Sequence, residues 1–81
     1  MTITTPAGNK VRCTSKCRYY VIADQVTRPD GRPLGARVER RSSNLDTARK
    51  VANRLGPVVG SADSMTRYVV FDSLRGEVVS S

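Results

Sequence analysis

The chain has no histidine, only two cysteines, and three tyrosines and one phenylalanine as its aromatics. Without histidine no side chain has an ordinary pKa near neutrality for acid–base work, and no serine or cysteine has an evident base partner. The seven carboxylates are scattered: Asp30 fits a turn, Asp46 a helix start and Asp72 a second hairpin. A protein that is not an enzyme is expected. Cys13 and Cys17 supply two thiolates where tetrahedral zinc needs four ligands, so neither metal nor cofactor is expected. They are also too few for a disulfide scaffold, which predicts free thiols in a reducing cytoplasm, with Cys17 partly buried. No apolar run reaches ten residues, so no membrane span is expected; residues 1–10 lack a stretch of signal-peptide length.

What the sequence does have is length for one small domain and an excess of positive charge. Fourteen Lys and Arg face seven Asp and Glu over 81 residues, for a net charge of +7. The apolar share, 38%, is low for a compact domain but too high for wholesale disorder. Charge is uneven: residues 1–23 carry four cations and no acid, whereas residues 56–81 are net −1. Arginine dominates the cations, and its planar fork suits phosphate or carboxylate. An arginine-biased coding sequence would give the same count without any ligand.

Residues 1–16 read as a flexible basic arm, rich in Thr, Ser, Gly and Asn and without a sustained apolar period. Residues 17–81 read as one folded domain. Cys17 to Ala23 is a strand, apolar on both faces through Tyr19, Tyr20, Val21 and Ile22. Pro29-Asp30-Gly31 supplies a turn, which Pro33 and Gly35 extend into a broad loop. Ala36 to Ser42 returns as a charged edge strand, with Arg37, Glu39 and Arg41 on one face opposite Val38 and Arg40. Leu45, Ala48, Val51, Ala52 and Leu55 make one helical stripe, capped by Ser43 or Asn44 and stopped by Gly56 in a left-handed cap before Pro57. A loop follows from Val58 to Thr66. Arg67 to Asp72 is a second strand, and a turn through Gly76 returns it as Glu77-Val78-Val79. The expected fold is a small two-layer α+β ββαββ, with one helix on one face of an antiparallel sheet.

Strand alternation leaves open which residues face the helix. The apolar series Cys17, Tyr19, Val21, Ala23 favours one parity, and the bulk of Phe71 the other. In both, apolar side chains lie on the face without a helix. A homodimer is the expected cover for so small a core; the arm folding across it and a ligand are the alternatives.

The candidate site is the basic surface. Lys10, Arg12, Lys16 and Arg18 lie in or beside the arm, Arg37, Arg40 and Arg41 on the return strand, and Arg49, Lys50 and Arg54 on the helix. A basic arm beside a basic domain suits phosphate backbones, and Tyr19, Tyr20 and Tyr68 could stack on unpaired bases or serve an interface. Two strands, a turn and a helix over Arg18 to Leu55 resemble the arm-binding domains of phage integrases. The likeness lies in Tyr19-Tyr20-Val21-Ile22, Pro29-Asp30-Gly31 and Leu45-Asp46-Thr47-Ala48. It implies DNA held by a sheet and one helix, though a third strand before the helix and a following catalytic portion are missing here. In size, composition and arginine bias the chain also resembles small actinobacterial phage proteins. The expected function is non-enzymatic binding of DNA or RNA. The alternative is a phage-type module that inhibits or modifies an acidic host protein.

Overall fold

A computed structural model describes residues 2–13, 17–27, 33–59 and 64–80. Its elements are β1 (Thr2–Thr4), β2 (Lys10–Arg12), β3 (Tyr19–Thr27), β4 (Pro33–Ser42), α1 (Leu45–Leu55), β5 (Val58–Val59), β6 (Ser64–Asp72) and β7 (Glu77–Ser80). The ββαββ order is present as β3, β4, α1, β6 and β7, in an antiparallel α+β sheet with one helix on one face. Strands run β4-β3-β6-β5, and β7 also pairs with β6. The Pro29-Asp30-Gly31 turn lies outside the described residues. Pro33 and Gly35, expected in a loop, belong to β4, and β5 pairs with Met65 and Thr66 where a loop was also expected.

The central strands are β3 and β6, paired from Tyr19↔Asp72 to Thr27↔Ser64. Both are dense in β-branched and aromatic residues because both of their faces are covered. On one side Tyr19, Val21 and Val70 pack with Ala48 and Ala52 of α1. The two alanines let the helix backbone lie close to the sheet. Asn44 caps α1: its side-chain oxygen accepts from the backbone N–H groups of Asp46 and Thr47 at 2.8 and 3.2 Å. Gly56 ends it, but not in the expected left-handed conformation, for its φ of −150° is extended. Glycine is needed there for space: a Cβ would overlap the Tyr68 ring.

On the other side Tyr20, Ile22, Val69 and Phe71 form a second core with Ile3, Val11 and Cys13. This settles the strand parity, and it corrects the flexible arm. Residues 2–13 are a hairpin whose Ile3 and Val11 pair across β1 and β2 and point at the sheet. The polar-apolar alternation about Ile3 and Val11 is too short to register as a period, yet it gives the hairpin one buried face. The helix-free face that motivated a homodimer is therefore covered by the chain itself.

The hairpin is fastened by a buried polar cluster. Asp24, 2% exposed on β3, accepts from the Thr5 hydroxyl, the Asn9 side-chain amide and the Ala7 backbone N–H. Asn9 also donates to the Gln25 carbonyl at 2.9 Å and accepts from the Gly35 N–H at 2.7 Å, bridging β3 and β4. Each of these groups would cost about 1–3 kcal/mol if buried without its partner.

Candidate nucleic-acid interface

The arginine-rich strand β4 is an edge of the sheet, and a bulge sets the direction of its side chains. Arg37 pairs with Ala23 and Val38 with Ile22, but Arg40, not Glu39, pairs with Val21, and Arg41 with Tyr20. Residues paired across strands share a face. Arg37 and Arg40 therefore lie on the helix side, while Arg41 joins Val38 on the hairpin side. The expected grouping of Arg37 with Arg41 opposite Arg40 is thus overturned by the extra residue in β4.

The hairpin brings a further cation to this edge. Arg12, Arg40 and Arg41 line one open depression of about 330 Å³ together with Tyr20, Val38 and Glu39. Lys10 sits two residues from Arg12 on the same outward side of β2, the side opposite buried Val11. Lys10, Arg12, Arg40 and Arg41 are all exposed, and none makes an ion pair among the described residues. Arg37 differs, because its guanidinium pairs with Glu39. Lys16 lies outside the described residues.

Arg18 is committed elsewhere. It makes two hydrogen bonds to Asp72, at 3.1 and 3.2 Å, and lies 5.1 Å from the centre of the Tyr19 ring. Asp72 also accepts from the backbone N–H groups of Leu74 and Arg75, which shapes the β6–β7 turn. The hydrogen bonds from Arg18 and from those amides hold the Asp72 carboxyl below the usual carboxylate range. Asp72 in turn pushes Arg18 further up. Ser73 completes the joint by donating its hydroxyl to the Arg18 carbonyl at 2.9 Å. A structural role thus replaces the phosphate contact expected of Arg18.

The tyrosines are not a stacking platform. Tyr19 and Tyr20 are buried in the two cores, on opposite faces of the sheet, and Tyr68 is half-buried against Gly56. The sequence leaves open which of them faces away from the helix, and it does not display the hairpin that covers Tyr20. Arg49, Lys50 and Arg54 are exposed on α1, across the sheet from the hairpin, so they do not join Arg12 and Arg41. The cation that sequence reasoning did not place at the return strand is Arg12. Its signal was the alternation Lys10-Val11-Arg12-Cys13, which turns both cations outward when Val11 and Cys13 turn in.

Cys13 is buried and Cys17 half-buried, and burial pushes the Cys13 thiol up. Among the described residues no group of three metal-ligating side chains occurs, and no helix is long and apolar enough to cross a membrane. Comparison of the chain with protein-family models, with curated proteins and with solved structures finds no match.

Proposed function

We propose that this protein is a non-enzymatic nucleic-acid-binding protein that holds phosphate at the edge formed by β4 and the N-terminal hairpin. One observation carries this reading: Arg12 and Arg41 on the hairpin side and Arg40 on the helix side border one depression at the β4 edge, and none is neutralised by a carboxylate among the described residues. Three arginines without an ion pair gather positive charge along this edge, and the chain's net charge of +7 draws polyanions toward it. Lys10 extends the site along β2. Glu39 at the rim is held by Arg37, which limits its repulsion of an incoming phosphate.

The test is fluorescence anisotropy with labelled oligonucleotides across roughly 50–200 mM salt, comparing the parent with R12A/R40A/R41A and with R37A. Each lost phosphate contact lowers the slope of log K against log salt by about one, so the triple variant should lose about three and R37A close to none. A triple variant that keeps the parent's affinity and slope would place binding elsewhere. Parent binding that disappears by physiological salt would remove the reading altogether.

A further inference from the structure

We infer that the partner is double-stranded nucleic acid gripped along its backbone, not a single strand held through its bases; this deepens the proposed function and rests on it. Single-strand binders combine a basic groove with exposed aromatic faces on which successive bases stack. This chain has only four aromatic residues. Tyr19, Tyr20 and Phe71 are buried, and Tyr68 is half-buried on the helix side, its ring against Gly56 and across the sheet from Arg12 and Arg41. Tyr20 lines the same depression as the arginines, yet it is 1% exposed. An unpaired base arriving at Arg12, Arg40 and Arg41 meets cations, Val38 and Glu39, while the Tyr20 ring is buried and offers no open face to stack on.

What remains is attraction to phosphate, and that attraction favours the duplex. A duplex carries one negative charge per ~1.7 Å of its axis, and each neutralised phosphate contributes a salt slope of about −0.9, against about −0.7 on a single strand. Carried from 1 M to ~0.1 M salt, three contacts with those slopes favour the duplex roughly fourfold. The bulge adds a geometric reason. By turning Arg40 to the helix side and Arg41 to the hairpin side, it places cations on both sides of one edge strand. Two rows of phosphate facing each other across a groove can meet such an edge from both sides. A single strand offers one row.

The experiment uses the full chain and labelled duplex DNA, duplex RNA, and single-stranded DNA and RNA of equal length, each titrated across roughly 50–200 mM salt. Both duplexes should bind more tightly than their single strands, with steeper salt slopes. Scrambling the duplex sequence should leave affinity unchanged, and R40A and R41A should each lower the duplex slope by about one. The ratio between the two duplexes then identifies which is preferred. Single strands that bind as tightly as duplexes, or a duplex preference that vanishes on scrambling, would overturn this inference while leaving the proposed function standing. Failure of every probe to bind at ~150 mM salt would overturn the proposed function as well.

Discussion

The two faces of the central sheet bury comparable apolar cores, but different devices close them. On the helix side an eleven-residue helix lays Ala48 and Ala52 against Tyr19, Val21 and Val70, and its own backbone hydrogen bonds keep it in shape. On the hairpin side two three-residue strands contribute Ile3 and Val11, and Cys13 follows directly after them, over Tyr20, Ile22, Val69 and Phe71. So short a cover cannot hold itself, since a lone two-stranded hairpin is marginal in water. Asp24 and Asn9 supply the fastening, with hydrogen bonds to the hairpin turn and to both neighbouring strands. A regular element can be secured by apolar contact; a short irregular one needs polar bonds at defined positions.

Substitutions should separate the two covers. Asp24→Ala has the largest expected effect: Thr5 and Asn9 lose a buried acceptor, at a cost of about 3 kcal/mol. In a Cys17→Ser background, thiol labelling of Cys13 should then accelerate roughly a hundredfold, because hairpin opening exposes it. The far-UV helical signal should persist; its loss together with Cys13 protection would mean that the two covers form one cooperative unit. Gly56→Ala acts on the helix side, where the added methyl meets the Tyr68 ring, and should cost about 2 kcal/mol in urea unfolding. Cys13 protection should change little, and adding Tyr68→Ala should cancel most of the Gly56→Ala penalty in a double-mutant cycle.

The smallest expected effect concerns neither cover. Because Arg18 and two turn amides hold the folded Asp72 carboxyl below its unfolded value, the stabilisation is complete above the ordinary carboxylate range and declines as pH falls through it. Asp72→Asn should lower stability at neutral pH and narrow the difference between neutral and acid stability. Chemical denaturation at the two pH values measures both. An unchanged difference would show that the Arg18–Asp72 pair adds nothing to the turn.

The same contrast explains how much could be read in the sequence. Helix α1 was legible because five apolar positions repeat over eleven residues between Asn44 and Gly56-Pro57. Strands β3 and β6 were legible from runs of β-branched and aromatic residues, and the β6–β7 turn from Asp72 and Gly76. The hairpin was not, since β1 and β2 each carry one inward apolar residue and no periodicity can be drawn from one. The bulge in β4 escaped for another reason: which residue lacks a partner depends on strand pairing, and so the faces of Arg40 and Arg41 did too. For the candidate site, composition revealed which residues are basic. Only the fold gathers Arg12 with Arg40 and Arg41, sends Arg49, Lys50 and Arg54 to the far side, and commits Arg18 to Asp72.

The borders of the sheet carry one more consequence. On the outer side of β6, β5 pairs with Met65 and Thr66 and β7 pairs with Val70 to Asp72, leaving a gap at Arg67, Tyr68 and Val69. The outermost strands on that side are β5, of two residues, and β7, of four, with the three-residue gap between them, so no long edge is open to an invading strand. At the opposite border it would meet the bulged β4, where a second copy laid antiparallel would bring arginines against arginines. One border is too short and the other too charged for sheets of neighbouring molecules to merge, which guards a chain so rich in strand against fibrous aggregation.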